Sequence, residues 1–222
     1  MKKYIVVAGN IGVGKSTLVN LLCQQMGWEP YLEPVTENPY LADFYGDMHT
    51  WSFHSQVFFL AHRLKIHLSI LRFPGSVVQD RSIYEDAEIF ARNLYLHGNL
   101  SRRDYETYYA LYQSLTEFLP PPDLVIYLRA SVSTLLQRIS QRNRAYEQSI
   151  SPEYLDGLNR LYLQWIEAFH LCPVLTVPAD DLDYVAHSHH LNLILQKVQE
   201  KLMGKDEVRF DPEELAQANR GM

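Results

Sequence analysis

An eight-residue glycine-rich segment near the start of the chain constrains its fold more than any other feature. The segment fits the pattern G-x-x-x-x-G-K-[ST] and consists of Gly9, Asn10, Ile11, Gly12, Val13, Gly14, Lys15 and Ser16. Glycines allow such a loop to wrap so that successive backbone N–H groups point inward, and the helix that follows adds the positive end of its dipole. The pattern predicts a nucleoside triphosphate site in which Lys15 reaches the β- and γ-phosphates and the Ser16 hydroxyl holds Mg²⁺. We include the next residue, Thr17, in this predicted ATP site.

The sequence on both sides of the loop supports this interpretation. Residues 4–8 form a short β-branched run that is typical of a buried parallel strand, and residues 17–26 carry apolar side chains at helical spacing. Further along, short apolar segments alternate with helical stretches, which indicates a parallel sheet with helices on both faces. We therefore predict an α/β fold of the P-loop nucleoside triphosphate hydrolase type, with a five-stranded parallel sheet.

The positions of the elements follow from the same patterns. The predicted strands lie near residues 4–8, 28–32, 76–80, 123–128 and 173–177. The predicted helices cover residues 15–26, 38–47, 50–72, 84–97, 101–119, 131–142, 152–171 and 182–203, with breaks where prolines forbid continuation.

Length and composition indicate a single domain with small-molecule partners. No linker-like or repetitive tract interrupts the 222 residues, so we predict one domain over residues 1–203 and a charged C-terminal tail over residues 204–222. No apolar run approaches the roughly 20 residues that span a bilayer, and the first residues lead directly into a strand, which leaves no room for a targeting peptide. Cys23 and Cys172 are interpreted as reduced core residues. We expect a cytoplasmic protein without a membrane partner.

The net charge of the chain bears on its partners. A formal charge of −6 argues against a nucleic acid polymer, because proteins that bind one carry basic faces. We expect a small substrate instead.

Charged residues follow several of the predicted strands. Glu33 comes after the second strand, and Asp80 and Arg81 come after the third. The helix after the fourth strand leads to three arginines, which are Arg138, Arg142 and Arg144. Ligands of open α/β sheets bind at the carboxyl ends of the strands, so we expect these groups to converge on the triphosphate. The arginines are predicted to form a basic lid over the transferring phosphoryl group.

Glu33 is the candidate carboxylate for phosphoryl transfer, which needs a group that orients or deprotonates an attacking hydroxyl. Its negative charge would repel an acceptor that already carries a phosphate, whereas it readily accepts a hydrogen bond from a neutral alcohol. This favours a nucleoside over a nucleotide as the acceptor.

Five motifs, taken together, resemble those of the deoxyribonucleoside kinase family. They are the glycine loop, the triplet Glu33 to Val35, the W-S-F-x-x-Q stretch from Trp51 to Gln56, the triplet Asp80 to Ser82, and the R-I-x-x-R-x-R-x-x-E-Q run from Arg138 to Gln148. The resemblance covers about residues 4–180 and is greatest to the bacterial purine-specific members, which are related to deoxycytidine kinase. It implies a homodimer that uses ATP and Mg²⁺.

The resemblance also implies roles for single residues. Glu33 would be the catalytic base at the 5′-hydroxyl, with Arg81 beside it and Asp80 near Mg²⁺. The implied nucleoside contacts are Tyr45 and Glu147 at the sugar 3′-hydroxyl, Gln56 hydrogen-bonded to the base, and Phe90 stacked on it. The implied contacts near the adenine of ATP are Asp180 and Asp181.

The spacing of the predicted base contacts can be checked on the sequence itself. Gln56 and Arg63 lie seven residues apart on one predicted helix, and Asp86 and Phe90 lie four apart on another, so each pair shares a helix face. An amide can pair with adenine, an arginine can donate to guanine, and an aspartate can fix that arginine or accept from an exocyclic amine. The Arg63 and Asp86 pair resembles the Arg and Asp pair of family members that take deoxyadenosine, deoxyguanosine or deoxycytidine. We therefore predict a purine-leaning kinase.

Two departures from the family pattern bear on this prediction. Asp80 stands where animal members carry glutamate, which resembles the bacterial purine enzymes. Ser55 replaces an aromatic residue before Gln56 and leaves more room near the base, although it can equally be a packing difference.

Two other functions stay open on the sequence alone. A nucleoside monophosphate kinase of the thymidylate type shares the loop and the lid, but Glu33 occupies the strand end where positive charge would bind the acceptor phosphate. An ATP-binding module without catalysis is the second alternative, although every charged group that the reaction needs is present. The tyrosines of residues 105–112 form a helical packing stripe that can also serve as a subunit interface.

Overall fold

The computed structural model describes residues 2–32, 37–144, 147 and 150–220. Within them five strands form one fully parallel sheet in the order β2-β3-β1-β4-β5. The strands are β1 (Tyr4–Gly9), β2 (Glu29–Tyr31), β3 (Val77–Asp80), β4 (Leu124–Arg129) and β5 (Val174–Pro178). The predicted α/β fold with a five-stranded parallel sheet is confirmed, and each strand end falls within one residue of its predicted position.

Helices precede and follow the strands in the alternation that the sequence predicts. The α-helices of the described residues are α1 (Lys15–Met26), α2 (Leu41–Gly46), α3 (Met48–Arg72), α4 (Ile83–Glu85), α5 (Arg92–Leu96), α6 (Arg102–Thr116), α7 (Val132–Arg142), α8 (Pro152–Ala168), α9 (Ser188–Leu202) and α10 (Pro212–Arg220). A π-helical segment (Asp86–Ala91) joins α4 to α5. None of the helices in this described part of the chain combines the length and the apolar character needed to cross a bilayer.

The central strand β1 explains why its sequence reads as a continuous apolar run. Successive side chains of a strand point to opposite faces of the sheet. Ile5 and Val7 join the core under α1, α7 and α9, while Val6 and Ala8 join the core under α3, α6 and α8. All four side chains are buried. Because both faces are covered by helices, no polar position is needed along the strand.

The helix predicted to begin at residue 182 begins only at Ser188. The carboxylate of Asp183 accepts hydrogen bonds from the backbone N–H groups of Val185 and Ala186, so the chain turns here instead of entering a helix. The bond from Ala186 is the main reason that the pKa of Asp183 lies below its usual value. The turn matters because it borders a cavity next to the glycine loop.

The C-terminal segment packs against the rest of the chain. Val208 is buried in the core cluster beneath α1 and α9, and Lys197 of α9 donates to Glu214 of α10 at 2.8 Å. Pro212 occupies the first position of α10, which its fixed backbone angle favours. The division into a domain over residues 1–203 and a tail over residues 204–222 stays a prediction.

Candidate active site

The glycines of the phosphate loop are required both by the backbone and by the available space. Gly9, Gly12 and Gly14 have φ angles of 146°, 81° and 105°, which side-chain-bearing residues rarely adopt. A Cβ atom at Gly9 would lie 2.7 Å from the carbonyl oxygen of Leu128, and one at Gly14 would lie 2.5 Å from the hydroxyl of Tyr184. The loop is therefore closely surrounded by β4 and by the turn before α9, and it leads directly into the N-terminus of α1.

Lys15 folds back over the loop. Its ammonium group donates to the carbonyl oxygens of Gly9 at 2.9 Å and of Asn10 at 3.0 Å. The side chain is buried and still borders a cavity at the carboxyl edge of the sheet. This places a cation at the point where the loop and the helix dipole favour an anion.

Ser16 and Asp80 meet because β1 and β3 are neighbours in the sheet. The Ser16 hydroxyl donates to Oδ2 of Asp80 at 2.5 Å. Asp80 is only 2% exposed, and its Oδ1 is buried and accepts no hydrogen bond from the residues that the structure describes. Hydroxyl and carboxylate oxygens are the protein ligands that Mg²⁺ prefers. The pair therefore fits the predicted metal site in chemistry, with one buried carboxylate oxygen left to bind a cation.

A cavity of about 380 Å³ collects most of the predicted site residues. Those that line it are Ile11, Gly12, Gly14, Lys15, Ser16, Thr17, Tyr45, Gln56, Asp80, Arg81, Asp86, Phe90, Arg142, Arg144 and Glu147. Glu33 lies outside the described residues. The phosphate loop and the predicted nucleoside contacts thus share one cavity, as a transfer reaction between two small molecules requires.

Four apolar or aromatic residues of this cavity were missed by the sequence analysis. They are Leu41, Phe44, Phe59 and Tyr154. Leu41 and Phe44 read as the buried side of a short helix, and only the packing of α2 against α3 brings them to the cavity. Burial raises the pKa of Tyr154, so its hydroxyl stays protonated at neutral pH.

The predicted base contacts form a buried polar group beside the cavity. Arg63 donates from Nε to Oδ2 of Asp86 at 3.3 Å and from Nη1 to the carbonyl oxygen of Asp80 at 3.0 Å. The Oε1 atom of Gln56 is buried and accepts no hydrogen bond from the described residues. Arg63 is 2% exposed and supports Asp86, while Gln56 and Asp86 line the cavity. The arrangement offers an amide and a carboxylate to a ligand.

Arg81 lines the cavity together with Phe90. Its guanidinium carbon is 4.2 Å from the centre of the Phe90 ring, and its backbone N–H donates to the carbonyl oxygen of Val7 at 3.0 Å. Its φ angle of 62° falls in the left-handed region. Arg81 is therefore in direct contact with Phe90, the residue predicted to stack on the base.

The three predicted lid arginines fall into two groups. Arg142 donates to both carboxylate oxygens of Glu147 at 2.6 Å, and Arg144 lies 3.6 Å from the same carboxylate. Arg138, one turn earlier on α7, donates instead to the carbonyl oxygens of Val13 and Ala179, both at 2.8 Å. The outer arginines thus gather around Glu147, and the inner one holds the phosphate loop.

A second cavity lies on the other side of the loop. It is lined by Gly12, Gly14, Thr17, Arg138, Gln141, Arg142, Leu182, Asp183, Tyr184 and Val185. The carboxylate of Asp180 accepts hydrogen bonds from the backbone N–H and the hydroxyl of Ser131, at the start of α7. Asp180 therefore bonds to the residue that precedes α7, and in this part of the chain the residues that line the cavity are Leu182 to Val185, just after Asp181. The predicted contact of Asp180 and Asp181 with adenine stays a prediction.

One buried carboxylate beside the loop was also missed by the sequence analysis. Oε1 of Glu85 accepts the backbone N–H of Gly9 at 3.2 Å and the Tyr162 hydroxyl at 2.8 Å. Burial raises the pKa of Glu85, and the neighbouring Arg81 and Lys15 partly counteract this effect. The spacing of Ser82 and Glu85 fits a capping box and is the signal that a sequence reading can use, but it indicates only a helix start.

Comparison with known proteins places the chain among enzymes. The profile of the family described as deoxynucleoside kinase matches residues 5–203. A deoxyadenosine/deoxycytidine kinase of Bacillus subtilis is 41% identical over 87% of this chain and 90% of its own length. A deoxyguanosine kinase of the same organism is 36% identical over 90% of this chain and 98% of its own length.

Solved structures agree with these sequence matches. The structure of a deoxyadenosine kinase from M. mycoides with bound dATP aligns with a TM-score of 0.80 at 32% identity, covering 89% of this chain and 99% of the other. The fold, the phosphate loop and the sequence matches lead to the same result, and the resemblance seen in the motifs is confirmed. The chain belongs to the deoxynucleoside kinase family.

Proposed function

We propose that the protein transfers the γ-phosphate of ATP to the 5′-hydroxyl of a deoxyribonucleoside, with a preference for purine bases. The observation that carries this proposal is the single cavity lined both by the phosphate loop and by Gln56, Asp86 and Phe90. The relatives named as deoxyadenosine/deoxycytidine and deoxyguanosine kinases support the same substrate class.

Glu33 is the proposed base at the 5′-hydroxyl. Strand β2 ends at Tyr31 and pairs in parallel with β3, so the chain leaves β2 at the same edge of the sheet at which Asp80 and Arg81 leave β3. Ligands of open α/β sheets bind at this edge, and this supports Glu33, two residues after Tyr31 in the sequence, as the candidate base. Glu33 would accept the proton of the attacking hydroxyl, and Arg81 and Lys15 would stabilise the negative charge of the phosphoryl group.

Ser16 and Asp80 are the residues that would hold Mg²⁺. When bound with ATP, this ion supplies positive charge that neutralises the phosphate oxygens. The buried Oδ1 of Asp80 supports the assignment because an uncompensated carboxylate oxygen in a protein interior is costly without a cation or a donor.

The lid residues have two proposed tasks. Arg142 and Arg144 would act on the transferring phosphoryl group and also fix the carboxylate of Glu147, which is buried and within reach of both. The carboxylate of Glu147, held in this way, would accept a hydrogen bond from the sugar 3′-hydroxyl, and the hydroxyl of Tyr45 would donate one to it. Arg138 would keep the carbonyl of Val13 in place while the outer arginines rearrange.

A comparative assay tests the reaction and the preference together. Purified protein with ATP and Mg²⁺ should phosphorylate deoxyadenosine, deoxyguanosine and deoxycytidine, with higher kcat/KM for the purines and the lowest value for thymidine. Higher activity on dTMP than on nucleosides would favour the monophosphate kinase instead. The absence of transfer to any of these acceptors would favour an ATP-binding module.

Replacing Asp86 by asparagine should reduce discrimination among bases rather than abolish transfer. The change keeps the size of the side chain but removes the charge that fixes Arg63, and one good polar contact to a base is worth about 1–3 kcal/mol of discrimination. The ratio of kcat/KM for deoxyadenosine to that for thymidine should fall by roughly tenfold. Glu88→Gln is the matched control, since Glu88 lies on the same π-helical segment but accepts from Tyr109. Equal losses on all bases would mean that Asp86 is structural.

We also propose that the protein is a homodimer, as its family resemblance implies. Leu68 and Leu71 of α3 and Leu111 of α6 are exposed on two helices that pack against each other. The tyrosine stripe of α6 packs largely within the chain itself, because Tyr108 and Tyr112 are buried. Sedimentation equilibrium should give twice the mass of one chain, and the mass of a monomer at micromolar concentration would contradict the proposal.

A further inference from the structure

Two side chains from distant parts of the chain hold the backbone of Gly9, the first residue of the phosphate loop, at both its N–H and its carbonyl group. The N–H of Gly9 donates to Oε1 of Glu85 at 3.2 Å. The hydroxyl of Tyr162 lies 2.8 Å from the carbonyl oxygen of Gly9 and 2.8 Å from the same Oε1. Glu85 and Tyr162 are both fully buried, so these bonds are made away from water, where they are stronger.

The other oxygen of Glu85 fixes the turn after β3. Its Oε2 accepts the backbone N–H of Ser82 at 2.8 Å and lies 3.3 Å from the Ser82 hydroxyl. Nε of Arg81 lies 3.8 Å from Oε1. One carboxylate therefore joins the loop that binds the phosphate donor to the turn that carries Asp80 and Arg81. A shift of either segment would therefore move the carboxylate and disturb its hydrogen bond to the other segment.

The hydroxyl of Tyr162 has one proton and two acceptors within reach, which gives it a task separate from that of Glu85. Burial raises the pKa of its hydroxyl well above the usual value, so it carries one proton at neutral pH. That proton can bond Oε1 of Glu85 or the carbonyl oxygen of Gly9, but not both at once. The Gly9 carbonyl also accepts from Lys15 at 2.9 Å. When Lys15 turns towards bound phosphates, that bond is lost and the Tyr162 hydroxyl is already within reach to replace it.

We propose that Glu85 and Tyr162 are positioning residues for phosphoryl transfer: they hold the Gly9 backbone in its phosphate-binding orientation and tie it to the Arg81 turn. Neither side chain touches the reacting atoms, and both act through backbone groups. The inference rests on the proposed kinase function for its kinetic readouts, whereas its binding readout needs only ATP recognition by the loop.

Tyr162→Phe is the first test. The variant keeps the ring but removes the donor to Gly9, so binding of a non-hydrolysable ATP analogue, measured by calorimetry, should weaken about fivefold. KM for ATP should rise by a similar factor while KM for the nucleoside stays unchanged. Tyr127→Phe is the control, because the Tyr127 ring stacks on Tyr162 with centroids 5.6 Å apart but, among the described residues, donates no hydrogen bond to the loop. Unchanged analogue binding by Tyr162→Phe, or equal effects of the two variants, would overturn the proposal.

Glu85→Gln is the second test, and it addresses both arms of the carboxylate. Glutamine keeps the shape and one acceptor oxygen but loses the charge that faces Arg81 and the Gly9 N–H. Analogue binding should weaken on the order of tenfold, and KM for the nucleoside should rise as well, in contrast to Tyr162→Phe. A lower melting temperature with both constants unchanged would indicate a purely structural role and contradict the inference. If this variant does not fold, Tyr162→Phe still decides.

The binding measurement separates this inference from the proposed function. Calorimetry with the ATP analogue contains no acceptor, so its outcome is independent of which nucleoside is phosphorylated. Failure of the wild-type protein to phosphorylate any deoxynucleoside would contradict the proposed reaction, whereas unchanged analogue binding by Tyr162→Phe contradicts only the positioning role.

Discussion

Glu33→Gln is expected to lower kcat by a factor on the order of 10²–10⁴ while ATP binding stays nearly intact. Glutamine has the size of glutamate but cannot take a proton from the 5′-hydroxyl, so the loss should fall on the chemical step. Strand β2 directs the chain to the edge of the sheet where Asp80 and Arg81 lie, which is the reason to expect a large effect at this position.

Steady-state kinetics at saturating ATP and deoxyadenosine give kcat, and calorimetry with a non-hydrolysable ATP analogue gives the affinity. Glu29→Gln is a matched control, since Glu29 is exposed and is the first residue of β2. A turnover number equal to that of the wild type would remove Glu33 from the role of base.

Asp80→Asn is expected to lower kcat by about 100-fold, because the loss of one preorganised electrostatic contact in an active site costs about 2.7–4 kcal/mol. The asparagine keeps an oxygen for the Ser16 hydroxyl but brings an amide group in place of the buried, uncompensated Oδ1. The Mg²⁺ concentration for half-maximal activity should therefore rise, and Mg²⁺ should strengthen ATP-analogue binding less than it does in the wild type.

Asp123→Asn provides the control for this substitution. Its carboxylate accepts the backbone N–H of Tyr4 at 2.8 Å, at the amino edge of the sheet and away from the cavity. Both Mg²⁺ dependences should stay unchanged in the control. An Asp80→Asn variant with the Mg²⁺ dependence of the wild type would show that Asp80 does not hold the ion.

The strands could be predicted from the sequence because their signal is local. Ile5, Val6, Val7 and Ala8 form an uninterrupted apolar run, and the run is uninterrupted because helices cover both faces of β1. The start of α9 could not be predicted in the same way. Its position depends on the single carboxylate of Asp183, which bonds to backbone groups two and three residues later and ends the helical pattern.

The cavity residues that belong to sequence motifs were predicted, and those whose position depends only on packing were missed. Lys15, Ser16 and Asp80 belong to motifs whose residue types fit the chemistry. Phe59 and Tyr154 are aromatic residues on helices, and such residues are far more often core than cavity wall. Their position in the cavity wall depends on how α3 and α8 pack, and no local sequence pattern indicates this packing.

Glu85 shows the same limit for a polar group. Its spacing from Ser82 predicts a capping box, and the structure contains one. Its contact with Gly9, in contrast, joins residues 76 positions apart in the sequence. A residue can thus satisfy a local rule and serve a second, distant purpose that a sequence reading does not detect.

The backbone of Arg81 carries a conformational cost. A φ angle of 62° costs an arginine about 1 kcal/mol or more relative to glycine, which adopts it without strain. The side chain offsets part of this cost, because its guanidinium lies 4.2 Å from the centre of the Phe90 ring and its Nε lies 3.8 Å from Glu85. A strained backbone at a residue that lines the cavity is therefore a reason, independent of any sequence motif, to expect a function for residue 81.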